Sequence, residues 1–159
     1  GLGSRLYDGE GIGVKKTNLI NRGVLENFLL DISSSIQLNM ETNGNAIRGV
    51  GSPPRPGTSN LVIKPGQYTQ DEMIKDISEG FMVTELIGSS VSLITGDYSR
   101  GASGFWIKNG KISHPISEAT IAGNLKDMFM QLTPGSDLDL SYPIASPSLR
   151  VDTMVVAGK

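Results

Sequence analysis

The chain has no cysteine among its 159 residues. It can therefore build no disulfide and no thiolate metal site of its own. Histidine is nearly as scarce, with His114 the only one. A zinc site drawn from this chain would need three carboxylates around that imidazole, a set outside ordinary zinc chemistry. Charge of either sign is sparse. Fourteen Lys and Arg face sixteen Asp and Glu, for a net charge of −2, and no basic cluster stands out as a nucleic-acid footprint. No apolar run reaches the length of a membrane span, and no signal peptide opens the chain. These absences lead to the expectation of a cytoplasmic protein. The chain starts at Gly1 rather than Met, which suggests processing or a piece of a longer protein.

Glycine and proline are plentiful, 20 and 8 residues, and so many turn formers predict short strands rather than a helical bundle. "NLINRGVLENFLL" reads as a hairpin, Asn18–Asn21 and Val24–Leu30 around a turn at Arg22-Gly23. Ile32, Ile36 and Met40 recur at helical spacing in "DISSSIQLNM". Residues 43–60, rich in glycine and proline, read as one long loop. "LVIKPG" reads as a strand running into a turn. Thr69 and Glu72 then form a capping box, with Tyr68 and Met73 as a hydrophobic staple. Met73, Ile74 and Ile77 make the expected buried face of that helix, and Gly80 is its expected left-handed end.

"FMVTELI" predicts a buried strand and "VSLIT" a second. "FWIKNGKIS" predicts a tight hairpin, because Asn109-Gly110 suits a type I′ turn. "EATIA" is strand-like. A further helix is expected from Asn124 as N-cap, with Leu125, Met128, Phe129 and Leu132 on one face and Pro134-Gly135 as its stop. "SLRVDTMVVAG" closes the chain as a strand. Strands and helices do not alternate, which disfavours a doubly wound sheet. The expected fold is α+β, a largely antiparallel, strand-rich sheet or barrel-like domain with two or three short helices.

The stretch "GDYSRGASGFWIKNG", Gly96–Gly110, concentrates the residues that suggest chemistry. Ser99 or Ser103 could act as nucleophile with His114 as base and Asp97 as its orienter. The nucleophile-elbow spacing fails, however, since Asp97 stands where a glycine is required and a hairpin strand follows rather than a helix. "GEGIG" and "GVGSPP" lack the third glycine of a dinucleotide loop. Asp8 with Glu10, and Asp137 with Asp139, are carboxylates two apart that could share a strand face and hold a hard cation. Solvated turns are the plainer reading of both pairs. Trp106 suits a core or an interface. Arg48 and Arg55 in the long loop could bind a carboxylate or only keep the loop soluble.

Several segments together resemble one family. They are "DGEG", "LINRGVLENFLLD", "TNGNA", "SNLVIKPG", "GFMVTELIG", the run from Thr95 to Met128, and "MVVAG". In this order they resemble the C-terminal domain of the TldD/PmbA family, and within it the PmbA (TldE) branch. The resemblance covers nearly the whole chain, residues 1–159, as a single C-terminal domain. It implies a cytoplasmic two-subunit metalloprotease acting on unfolded or extended peptides, also labelled a modulator of DNA gyrase. In that family the TldD subunit carries a zinc-binding His-Glu-x-x-x-His helix in its N-terminal domain and a cysteine from its C-terminal domain. Neither element can be placed on this chain, so the resemblance transfers no metal ligand and no cofactor to it, and zinc is expected in a TldD-like partner. What it implies instead is a scaffold that pairs with that partner, or with itself in isolation, and lines a peptide channel. Asn45, Arg48, Asp97, Ser99, Arg100 and Trp106 are the expected substrate or partner contacts. A serine hydrolase using Ser99 or Ser103 with His114, and a stand-alone peptide- or protein-binding module, are the alternatives.

Overall fold

The computed structural model of the chain describes residues 1–158, apart from the side chain of Ser89. In chain order the first elements are β1 (Ile20–Asn21), β2 (Val24–Leu25), α1 (Ile32–Leu38), β3 (Ala46–Ile47), β4 (Arg55–Pro56), β5 (Leu61–Val62) and α2 (Gln70–Ile74). There follow β6 (Glu79–Val91), β7 (Asp97–Lys108), β8 (Lys111–Asn124), α3 (Leu125–Met130), β9 (Leu132–Pro134), β10 (Ile144–Ala145), β11 (Leu149–Val151) and β12 (Val155–Ala157). The fold is α+β with mostly antiparallel pairing, and no barrel closes among the described residues. Two compact units divide the chain, Gly1–Ile63 with Asp139–Ala145, and Lys64–Leu138 with Ser146–Lys159.

In the first unit, β1 and β2 pair antiparallel around Arg22 and Gly23, both at positive φ as a type I′ turn requires. The hairpin is much shorter than its apolar run, and Ile20, Val24 and Leu25 all stay exposed. Helix α1 begins where Asp31 and Ser34 form a reciprocal capping box and ends on Asn39 in the left-handed region. Its buried residue is Ser35, whose hydroxyl donates to Ile32 O at 2.8 Å. The Ile32–Ile36–Met40 stripe is exposed, and Met40 lies past the helix end. The long loop is partly ordered, since β3 pairs with β4. Strand β5 pairs parallel with β10. Leu30, Ala46 and Ala145 are the buried apolar residues of this unit.

Asp8 joins two segments of that unit. Its Oδ1 accepts the N–H groups of Glu10 and Ile12 at 2.9 Å each, and its Oδ2 accepts that of Ala46 at 3.0 Å. Burial alone would raise this carboxyl, but the N–H donors of Ala46, Ile12 and Glu10, with the charge of Arg5, bring it below its ordinary value. Glu10 turns elsewhere and accepts the N–H of Ile32 at 2.8 Å.

The second unit is built on a four-stranded sheet in the order β12-β8-β7-β6. Helix α2 carries the expected capping box, with Thr69 N–H donating to Glu72 at 2.8 Å. Met73 is buried beneath it, while Ile74 and Ile77 are half-buried. The helix ends at Lys75 in right-handed geometry, and Gly80 belongs to β6 rather than to a helix cap. The chain leaves the helix early because Ile77 O and Ser78 O accept the N–H groups of Gly110 and Asn109, each at 2.8 Å. Gly80 serves close approach: a Cβ there would sit 2.8 Å from Ile77 Cγ2.

Three further expectations need correction. "VSLIT" is not a strand: Val91 ends β6, and residues 92–96 form a turn that leaves Leu93 and Ile94 almost fully exposed. The predicted helix at Asn124 stops at Met130, and Leu132 moves into β9, which pairs with β11. The closing strand breaks at Thr153, whose φ of 66° turns the chain, so that β11 pairs with β9 and β12 with β8. "FMVTELI" does form a strand, but Val83, Leu86 and Ile87 remain 36–53% exposed because β6 is an outer strand. Arg150 ties β11 to α2, donating to Met73 O at 2.8 Å and to Asp76 at 2.6 Å.

Candidate functional site

Strand β7 holds the stretch Gly96–Gly110 almost entirely. It is paired on both sides, and each irregularity puts the extra residue on a neighbour, at Thr84 and Gly88–Ser89 of β6 or at Ser113–His114 and Ser117–Glu118 of β8. β7 itself therefore alternates without interruption. Asp97, Ser99, Gly101, Ser103 and Phe105 share one face, and Tyr98, Arg100, Ala102, Gly104 and Trp106 share the other. The second face is the better buried: Ala102 is 0% exposed, and Arg100 and Trp106 are half-covered. The first face is polar at its start, with Asp97 and Ser99 exposed, and apolar toward the hairpin, where Ile107 is 3% exposed.

Small residues here answer to the pairing. Any Cβ on Gly104 would run into Met82 O, which faces β7 in the β6–β7 pairing. Gly110 completes the type I′ turn at φ 73°, and a Cβ there would meet Lys75 O. Gly96, at φ 84°, donates its N–H to Ser92 O and accepts from Leu125 N–H, closing the turn beside α3. Asp97 accepts the hydroxyl of Thr95 at 2.7 Å, so it anchors the same turn.

The hydrolase constellation does not assemble. Ser99 pairs with Ala122, whereas His114 lies in the bulge opposite Trp106, seven residues along β7 from Ser99, which is about 23 Å at 3.3 Å per residue. Ser103 lies on the face opposite Trp106, and His114 lines a shallow cleft with Trp106, Ile116, Ala119 and Val156. The polar contact of His114 is its neighbour Ser113, at 3.2 Å. Asp97 pairs with Asn124, farther still from the imidazole.

The expected contact residues fall into separate sets. Asn45 and Arg48 belong to the first unit. Asn45 spends its side-chain amide on Asn43, at 2.8 Å to Oδ1, while Arg48 is exposed and makes no ion pair among the described residues. In the second unit, Asp97 and Ser99 point to one side of β7 and Arg100 and Trp106 to the other. Their adjacency in sequence hid that division, although the period of two could have revealed it. Arg100 Nε is buried without a partner among the described residues.

The carboxylate pairs are loop clips. Asp137 accepts the N–H and hydroxyl of Ser148 at 2.9 and 2.6 Å, and these bonds hold its carboxyl below the ordinary range. Asp139 accepts the N–H and hydroxyl of Ser141 in the same way, at 2.8 and 2.6 Å. Among the described residues no three His, Cys, Asp or Glu side chains converge. No helix there is long and apolar enough to cross a membrane.

Comparison with known proteins adds three likenesses and a family match. The family model of the PmbA/TldA metallopeptidase C-terminal domain matches residues 1–158. Metalloprotease PmbA of Escherichia coli O157:H7 is 39% identical over 160 residues, which span 100% of this chain and 34% of that protein. A crystal structure from Thermotoga maritima MSB8, described as a modulator of a DNA gyrase, is 32% identical with a TM-score of 0.85, covering 99% of this chain and 36% of that one. The crystal structure of TldE from Thermococcus kodakarensis is 24% identical with a TM-score of 0.85, covering 97% and 36%, a likeness of fold alone. The chain spans about a third of the length of each of these relatives.

Proposed function

The chain belongs to the PmbA/TldA metallopeptidase family as its C-terminal domain, and on that premise we propose that it is a structural and peptide-facing part of a two-subunit peptidase whose zinc sits in a TldD-like partner. The observation that carries this reading is the match of the whole of this chain to a third of a metalloprotease named PmbA. Asp8, Asp137 and Asp139 are engaged as clips of their own loops, in keeping with a structural part.

In this reading, Asp97 and Ser99 meet an extended peptide or the partner subunit on the polar face of β7, and Arg100 and Trp106 contribute to the opposite face. Asn45 and Arg48 are proposed contacts in the other unit. The work takes place in the cytoplasm. The chain supplies surfaces and main-chain hydrogen-bonding groups, and no catalytic step is assigned to its own residues. The full-length protein, co-expressed with a TldD-like subunit from the same source, should purify as a stoichiometric pair. Full-length protein that emerges always alone contradicts the pairing role.

A further inference from the structure

The sheet of the second unit has two open sides among the described residues. Strand β12 covers β8 only at Thr120–Ala122, so the outer side of β8 is open from Lys111 to Ala119. β6 has no strand on its outer side along its whole length. An open edge is a template for another strand unless it is blunted.

The β8 edge is blunted several times over. It carries two bulges, Pro115 offers no N–H, and Glu118 sits at φ 63°. β6 differs along its first five residues. Glu79–Val83 pair one to one with Lys108–Gly104, without bulge, proline or positive φ. Asn109 N–H donates to Ser78 O at 2.8 Å. In antiparallel geometry that bond turns the backbone groups of Ser78, Gly80 and Met82 toward β7 and those of Glu79, Phe81 and Val83 outward. The N–H and C=O groups of Glu79, Phe81 and Val83 have no bond to other described residues. Glu79 and Val83 are exposed and Phe81 is half-covered.

We propose that the outer edge of β6 from Glu79 to Val83 receives an extended peptide as a fifth strand of the sheet. This rests on the peptide-facing reading above and names the edge that serves it. The side chains of Glu79, Phe81 and Val83 lie on one face, where Phe81 stands directly beside Trp106 and Glu79 beside Lys108. An added strand continues those rows. It fits apolar residues beside Phe81 and Val83 and a Lys or Arg beside Glu79, since opposite charges on neighbouring strands attract. β6 carries Glu79 and Glu85 and no basic residue, so the edge favours a basic peptide over an acidic one. Main-chain bonds supply affinity with little regard to sequence, and the alternate side chains supply the preference.

The test uses the full-length protein and a capped heptapeptide, acetyl-Thr-Val-Thr-Val-Thr-Lys-Thr-amide, with binding followed by titration calorimetry and contact by hydrogen exchange. Bound peptide should slow exchange in the segment 78–84 and leave 111–119 unchanged. N-methylation of one alternate set of peptide amides should weaken binding at least about tenfold, and methylation of the other set should not, because a strand pairs through one side only. Val83→Pro removes an outward N–H without taking a bond from β7, a change that edge strands tolerate. It should weaken binding by a similar factor at unchanged thermal stability. Binding with protection at 111–119 or elsewhere, and none at 78–84, overturns this edge while leaving the peptide-facing reading intact. No binding up to about 1 mM, an affinity too weak for a working channel, overturns both.

Discussion

Asp8 stands in a polar, glycine-rich stretch, yet three backbone N–H groups from two segments end on its carboxylate. Asp8→Ala leaves those donors unpaired and should cost about 1–3 kcal/mol, read as a lower urea midpoint for the chain. Its depressed folded pKa also fixes the sign of a pH effect. The unfolded carboxyl takes up a proton first as the pH falls. The stabilisation is therefore complete above about pH 4, the ordinary aspartate range, and is lost as the pH falls through the lower folded value. Asp8→Asn should make thermal stability between neutral pH and pH 3 less acid-sensitive than in the parent. Equal acid sensitivity in the two proteins contradicts the role given to this carboxylate. The serines make the opposite case. Ser99→Ala and Ser103→Ala should each cost peptide hydrolysis by the proposed two-subunit assembly no more than one lost contact, about tenfold, whereas loss of a serine nucleophile costs about a million-fold. A loss on that scale would restore the hydrolase reading.

At the scale of elements, Gly104 holds β6 and β7 in register across the Thr84 bulge. Gly104→Ala forces a methyl against Met82 O and should destabilise by about 1–3 kcal/mol or more, with exchange accelerating first along Phe81–Leu86. Unchanged stability would mean that the bulge can shift at no cost. Elements with local chemistry were legible from sequence: the capping box at Thr69 and Glu72, and the type I′ turns at Arg22-Gly23 and Asn109-Gly110. Elements set by pairing were not. Leu93 and Ile94 read as a strand because they are apolar, but they occupy an exposed turn closed by Ser92 and Asp97. Leu132 fits the apolar face of α3, yet pairing with Val151 draws it into β9. Gly80 looked like a helix stop because its use, a close approach to Ile77, depends on a contact between segments.

For the whole molecule, the family was legible because its segments keep their order from Asp8 to Gly158, and the family model matches residues 1–158. The arrangement of the site could not. Sequence places Asp97, Ser99 and Arg100 side by side, while the sheet sends Arg100 to the opposite face and puts Ser99 far along β8 from His114. Nor does sequence alone show that β6 is an outer strand, because strand order follows from the return of β12 to β8. On the proposed function, this domain shapes a peptidase whose metal is held by its partner, a division of labour open to direct assay. It is tested most directly by assaying cleavage of an unstructured peptide with zinc present, by the full-length protein alone, by a TldD-like subunit alone, and by the two together. Zinc-dependent cleavage should occur only where the TldD-like subunit is present, strongest with both, and not with this protein alone. Zinc-dependent cleavage by this protein alone would contradict that division of labour.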